Sequence, residues 1–228
     1  MPRPLLIAFA VVALATLVVV TLFLIKPPKP PTLPVASRLL PPSGSYDHDP
    51  GGVAGAPRPS TIPPFAPACS ALKGVSVEAG VAGQQRVALA LRDLCGIAGP
   101  GVPDELRQAL AGLNGVAIRF AGLERTGEDA VSDLSIPRLY LNVRFARHDV
   151  RTDIIGPILV HEGWHLAHRT LVVDARQEFF ARVAEADACR LLIPKKKWVR
   201  NCTDADALVA VGETRAVALL EQAGYAKP

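Results

Sequence analysis

Aromatic residues are scarce in this sequence, and its positive charge is thinly spread. Phe, Trp and Tyr make up 5% of the 228 residues, and the 25 Lys and Arg residues are scattered apart from the run Lys195-Lys196-Lys197. Proteins that bind single-stranded nucleic acid combine a basic groove with aromatic stacking platforms. Despite a formal net charge of +4, the composition predicts no nucleic-acid partner, and we interpret the lysine run as a solvated loop.

Charged residues are absent from Leu5 to Ile25, a run rich in Leu, Val and Ala. These 21 residues are enough for a helix to cross a hydrocarbon core of about 30 Å. A cleavable signal peptide has a shorter apolar region and a small-residue processing site, whereas here Lys26-Pro27-Pro28 follows. The sequence predicts an uncleaved transmembrane anchor at residues 5–25, behind an N-terminal tail of residues 1–4. Arg3 on one side and two lysines on the other leave its orientation undecided.

Cysteine is also rare, with four residues and no C-x-x-C pair, which argues against a thiolate zinc site or a thioredoxin-like motif. An even number of cysteines behind an export segment indicates two disulfides in an oxidising compartment. Of the three connectivities, Cys69–Cys95 with Cys189–Cys202 closes the shortest loops. We therefore expect a single-pass membrane protein whose folded domain lies outside the cytoplasm.

Proline divides the chain into a linker and a domain. Thirteen of the 21 prolines lie between Pro27 and Pro67, where periodic apolar residues are few. Such segments stay extended because they cannot bury enough apolar surface to fold. We assign residues 26–67 to a Pro-rich linker and residues 68–228 to one folded domain.

The domain alternates helical and strand patterns, which predicts an α+β fold with a short β-sheet. Helices are expected near residues 85–94 and 103–110, and strands near 116–120 and 139–145. The polar segment 124–135 is interpreted as a loop. A further helix is expected to begin at Asp149, Thr152 or near Pro157, followed by a helix at residues 175–192 that Pro194 stops.

The helix expected before residues 175–192 carries the sequence His161-Glu162-Gly163-Trp164-His165, an H-E-x-x-H match. Residues four apart share a helix face, so both imidazoles can bind one zinc ion. The carboxylate of Glu162 lies beside the first ligand, where it can take a proton from the nucleophilic water. The motif therefore predicts a catalytic Zn²⁺ site with Glu162 as general base.

The third protein ligand is expected on the following helix, where Glu178 and Glu185 lie one heptad apart and share a face. At this point the sequence resembles the gluzincin zinc peptidases, especially the small single-domain ones. Their order of edge strand, H-E-x-x-H helix and glutamate helix matches residues 139–194. The third ligand of thermolysin-like members is often in an E-x-x-A context, as in Glu185-Ala186-Asp187-Ala188. The resemblance favours Glu185 as the third ligand, and Glu178 remains the alternative.

The resemblance also implies a zincin-like domain in which the edge strand before the H-E-x-x-H helix pairs with an extended peptide. Tyr140 and Asn142 would lie on the polar face of that strand. Many relatives carry an Asp four residues after the ligand Glu, where this chain has Cys189. Asp187 is a candidate for its role of orienting a histidine. We interpret His168, which follows the motif, as structural.

Together these features predict a membrane-anchored zinc metallopeptidase that acts on a peptide or protein in the periplasm or at the cell surface. His161, His165 and Glu185 would bind the zinc. Two alternatives stay open: an inactive, zinc-stabilised binding module of the cell envelope, and an envelope interaction protein with an accidental motif. Glu162 argues against the inactive module, because a structural zinc site has no use for a carboxylate there.

Overall fold

The computed structural model describes residues 69–123, 128–170 and 172–228. The predicted anchor at residues 5–25 and the predicted linker at residues 26–67 lie outside the described residues. Among the described residues, no helix is both long and apolar enough to span a membrane.

The domain contains a four-stranded sheet. Its strands are β1 (Ser76–Glu78), β2 (Ala117–Ala121), β3 (Ala130–Asp133) and β4 (Arg138–Asn142), in the spatial order β1-β2-β4-β3. The pairs β1–β2 and β2–β4 are parallel, whereas β3 runs antiparallel to β4. The sheet is therefore mixed, and β3 forms the edge opposite to β1.

Six α-helices accompany the sheet in the part of the chain that the structure describes. They are α1 (Val81–Ile97), α2 (Asp104–Gly112), α3 (Ile155–Ala167), α4 (Ala175–Leu192), α5 (Arg200–Ala210) and α6 (Glu213–Gln222). The helix predicted at residues 175–192 is confirmed with the same bounds. The structure is thus a mixed helix-and-sheet domain with a small sheet.

The main core is formed by aliphatic side chains from the central strands and from helices α1 to α4. Burial removes this apolar surface from water, which stabilises the fold by about 25 cal/mol per Å². Fully buried members include Leu91, Leu94, Leu106, Ile118, Leu139, Leu141 and Leu159. Since α3 contributes to this core along much of its length, the H-E-x-x-H helix is held rigidly.

The sheet differs from the sequence prediction in two places. Part of the predicted loop 124–135 forms β3, whose pairing with β4 supplies its backbone hydrogen bonds. The strand predicted at residues 139–145 ends at Asn142, whose side chain accepts a hydrogen bond from Arg144 N and turns the chain into a 3-10 helix at Val143–Ala146. Strand β4, which precedes α3 in the chain, therefore lies inside the sheet, and β3 forms the edge next to it.

Helix α3 begins at Ile155, and neither Asp149 nor Thr152 is its N-cap. Pro157 consequently lies in the first turn, where backbone N–H groups have no partner within the helix. The proline therefore neither breaks a hydrogen bond nor kinks the motif that follows it.

Helices α2 and α3 cross closely at two glycines. A Cβ atom on Gly112 would lie 1.9 Å from the carbonyl oxygen of Gly163, and one on Gly163 would lie 2.4 Å from the carbonyl oxygen of Ala109. Backbone atoms cannot yield as a flexible side chain can. Gly163, an unspecified position of the motif, is therefore required by helix packing rather than by chemistry.

Replacing Gly163 with Ala is expected to destabilise the protein by at least about 1–3 kcal/mol, the usual cost of overpacking. The measurement is urea unfolding with excess chelator, so that metal binding does not contribute. Gly96→Ala on α1 is the matched control, because its Cβ would meet nothing within 4 Å. Equal stability of the two variants would contradict the close crossing.

Two disulfides cross-link the domain, and the predicted pairing is confirmed. Cys69–Cys95 spans 26 residues and ties the start of the domain to α1, while Cys189–Cys202 spans 13 residues and joins α4 to α5. Loops of this size stabilise a fold by about 2–4 kcal/mol through restriction of the unfolded chain. The second bridge anchors the C-terminal half of α4, the helix that carries both candidate glutamates.

Candidate metal centre

The site lies between α3 and α4. Helix α4 is capped by Asp174, whose carboxylate accepts a hydrogen bond of 2.7 Å from Gln177 N. This cap fixes the first turn of α4, which contains Glu178. His161 and His165 are buried on the facing part of α3, with 9% and 7% of their surface exposed.

Three potential ligand atoms converge there. The Nε2 atoms of His161 and His165 are 3.2 Å apart. Glu178 Oε2 lies 3.6 Å from His161 Nε2 and 3.4 Å from His165 Nε2. These residues form the only group of three potential metal ligands found among the residues that the structure describes.

The spacing of these atoms fits zinc. Nitrogen and oxygen ligands lie about 2.0–2.1 Å from zinc, and tetrahedral angles then place two ligand atoms about 3.3–3.4 Å apart. The three observed separations, from 3.2 to 3.6 Å, bracket that value. Two histidines and one glutamate are a catalytic donor set that leaves a fourth position for water.

Glu185, which the resemblance favours as third ligand, has a different place. Its Oε2 atom lies 3.2 Å from His161 Nδ1, the ring nitrogen that faces away from His165 and Glu178. A carboxylate in this position accepts the Nδ1 proton and leaves Nε2 free to bind a metal. The structure therefore brings Glu178 to the two Nε2 atoms and gives Glu185 the orienting role that the sequence suggested for Asp187.

A partly buried cation joins the two glutamates. Arg182 lies between them on α4, and its guanidinium donates hydrogen bonds of 2.8 Å to Glu178 Oε1 and 3.0 Å to Glu185 Oε2. Glu178 and Glu185 are only 3% and 1% exposed, so their charges need partners within the protein.

The charges of this cluster are strongly coupled. Burial opposes a charge on His161, but the charge of Glu178 and hydrogen bonds to Glu178 and Glu185 prevail and raise the pKa of His161 to about 10. Burial likewise opposes ionisation of Glu178, yet His161 and Arg182 hold its pKa well below the usual range. The site thus favours a positive charge beside Glu178, and a divalent cation would replace the proton there.

Glu162 is positioned by the edge strand. Ser132 on β3 donates a hydrogen bond of 2.7 Å to Glu162 Oε2, and the carboxylate residue is 8% exposed. Glu162 therefore has a fixed rotamer next to the first histidine, as a general base requires.

Tyr225 is a site residue that sequence reasoning missed. The chain after α6 forms an isolated bridge between Ala226 and Asp174, and Ala175 N donates to Ala226 O at 2.8 Å. Burial and the negative charge of Glu178 raise the pKa of the Tyr225 hydroxyl, which donates a hydrogen bond to Glu178. No local motif marks this tyrosine, because its place depends on how the C-terminal segment docks against α4.

Other residues near the motif have packing roles. His168 bonds the Trp164 carbonyl through Nδ1 and Gln108 through Nε2, and its ring stacks on Trp164 at 3.9 Å. Trp164 itself is 6% exposed. Asp187 pairs with Arg190 and does not contact either histidine. These contacts agree with the structural interpretation of His168.

Comparison with protein-family models, curated proteins and solved structures gave no match to this chain. The geometry of the site therefore carries its functional interpretation.

Proposed function

We propose that this chain is a zinc-dependent peptidase of gluzincin type, with His161, His165 and Glu178 as ligands and Glu162 as general base. The observation that carries the proposal is the convergence of Nε2, Nε2 and Oε2 at separations of 3.2 to 3.6 Å beside a positioned carboxylate. Glu178 takes the place that the resemblance suggested for Glu185. A structural zinc site would need neither an open fourth position nor Glu162.

The reaction is hydrolysis of a peptide bond. When bound, zinc supplies a Lewis acid that polarises the scissile carbonyl and lowers the pKa of the attacking water. Glu162 accepts a proton from that water as its oxygen attacks the carbonyl carbon. The same carboxylic acid then donates the proton to the amine nitrogen as the C–N bond breaks. Ser132 keeps Glu162 oriented through both transfers.

The hydroxyl of Tyr225 provides a hydrogen-bond donor in the same site. Its raised pKa keeps it protonated at neutral pH, so it can donate its one hydrogen bond to a developing oxyanion in place of Glu178. A donor of this kind lowers the energy of the transition state only if it is held in place. The bridge between Ala226 and Asp174 holds the backbone next to it.

The edge strand suggests how a substrate binds. β3 pairs with β4 on one side and has no strand on its other side among the described residues. An extended peptide can add to such an edge through main-chain hydrogen bonds. Since Ser132 on β3 contacts Glu162, a peptide on this edge would lie beside the general base. The substrate class is therefore a peptide or protein segment in extended conformation.

The location of the enzyme is part of the proposal. The disulfides Cys69–Cys95 and Cys189–Cys202 are compatible with an oxidising compartment. Together with the uncharged run at residues 5–25, they support a single-pass membrane protein whose catalytic domain is outside the cytoplasm.

The direct test measures metal content and metal dependence. Full-length protein purified without chelator is expected to contain about one zinc per chain, the stoichiometry of a single catalytic site. It should cleave members of a proteome-derived peptide library, lose that activity on chelation and regain it with added zinc. Absence of bound zinc would refute the proposal, whereas bound zinc without cleavage would support the zinc-stabilised binding module.

Ser132→Ala is expected to lower kcat about tenfold while zinc content stays normal. The loss of one hydrogen bond to a charged carboxylate costs about 1.5–3 kcal/mol, and part of this cost falls on the transition state. Ser135→Ala is the matched control, because Ser135 bonds Asp133 at the exposed turn that follows β3. Equal kcat values for the two variants would show that Ser132 does not position Glu162.

A further inference from the structure

The two oxygen atoms of Glu178 face different groups. Its Nε donates to Oε1 at 2.8 Å, while Oε2 faces the two histidine Nε2 atoms at 3.6 and 3.4 Å. A guanidinium is planar and rigid, so a carboxylate oxygen bound to it is held in a defined direction. Only one oxygen of Glu178 is therefore turned towards the ligand cluster.

The same guanidinium holds Glu185 in place. Its NH1 group donates to Glu185 Oε2 at 3.0 Å, and this oxygen also lies 3.2 Å from His161 Nδ1. One side chain thus positions both the third ligand and the carboxylate that orients the first histidine. The side chain of Arg182 is only 22% exposed, so water does little to screen these contacts.

Charge gives Arg182 a second effect. The carboxylates of Glu178 and Glu185 are both buried, and Glu162 lies beside His161, so negative charge is concentrated in the site. Arg182 places its positive charge between Glu178 and Glu185 and so reduces their mutual repulsion. The ligands are then preorganised before a metal ion arrives.

We propose that Arg182 is a positioning residue that restricts Glu178 to coordination through one oxygen and so selects a four-coordinate metal. This inference rests on the proposed zinc site. Zinc accepts four tetrahedral ligands, whereas manganese, magnesium and calcium favour six or more oxygen-rich positions. Without Arg182, the Glu178 carboxylate could bind a metal through both oxygens. The preference for a four-coordinate metal would then weaken.

The test uses three variants of the full-length protein and measures zinc affinity, manganese affinity and the visible spectrum of the cobalt(II) form. Four-coordinate tetrahedral cobalt(II) absorbs visible light more strongly than five- or six-coordinate cobalt(II). Arg182→Met removes the guanidinium, and Arg182→Lys keeps the positive charge but lacks the planar group with its paired donors. Arg190→Met is the matched control, because Arg190 lies on the same helix but pairs with Asp187 and Asp206 at the surface.

We expect Arg182→Met to bind zinc about 10–100-fold more weakly, the usual effect of removing a group that orients a ligand. Its cobalt form should absorb more weakly than that of the wild type, and its preference for zinc over manganese should fall. Arg182→Lys should recover part of the zinc affinity but not the spectrum, and Arg190→Met should match the wild type in all three measurements.

If a folded Arg182→Met protein has wild-type zinc affinity and a wild-type cobalt spectrum, the inference about Arg182 is wrong. The proposed zinc site is unaffected by that result. If Arg182→Met does not fold, a wild-type spectrum for Arg182→Lys has the same consequence. A wild-type protein that binds neither zinc nor cobalt would overturn the proposed function, and this inference with it.

Discussion

Glu162→Gln is expected to lower the rate of peptide cleavage by about 10²–10⁴-fold, the usual contribution of a positioned general base. Gln has almost the shape of Glu but cannot accept and return the proton. Zinc content and the stability of the fold should stay near wild-type values, because Glu162 is not one of the three converging ligands. The measurement is kcat/KM on a peptide that the wild type cleaves, together with metal analysis of the same preparation.

Glu78→Gln serves as the control for this substitution. Glu78 is an exposed carboxylate on β1, at the sheet edge opposite to β3, where it pairs with Arg119. It should keep full activity. Cleavage that survives Glu162→Gln would contradict the mechanism, and loss of zinc in that variant would mean that Glu162 itself contributes to metal binding.

Glu178→Ala is expected to abolish stable zinc binding, whereas Glu185→Ala should weaken it by about 10–100-fold. The first substitution removes one of three protein ligands, while the second removes the hydrogen-bond acceptor of His161 Nδ1 and leaves all three ligands in place. Zinc affinity is measured by competition with a chelator of known affinity, because this measurement resolves graded differences in affinity between the variants.

Glu185→Gln provides a finer control for the same pair. Its amide oxygen can still accept the Nδ1 proton, so its affinity should lie between those of the wild type and Glu185→Ala. The reverse ranking, in which Glu185→Ala loses zinc and Glu178→Ala retains it, would restore Glu185 as the ligand. Each single variant should be tested for folding, because Arg182 loses one acceptor in either case.

Local signals account for the parts of the fold that could be predicted. The bounds of α4 follow from local features. Asp174 caps its N-terminus, and Pro194 lies just beyond its last turn. By contrast, β3 comes from a polar segment without strong alternation. Its strand geometry depends on pairing with β4, which a local pattern does not contain. The edge strand was therefore assigned to the wrong segment.

The sequence by itself determined that His161 and His165 share one face of a helix that also carries Glu162, because a four-residue spacing places both imidazoles on one face whatever surrounds them. Glu178 and Glu185 share a face of α4 for a similar reason, so their spacing could not choose between them. Only the tertiary structure distinguishes their positions. The way α4 packs along α3 brings its first turn to the two Nε2 atoms and places Glu185 at His161 Nδ1. The docking of Tyr225 was decided in the same way, since it depends on contacts between segments that are far apart in the chain.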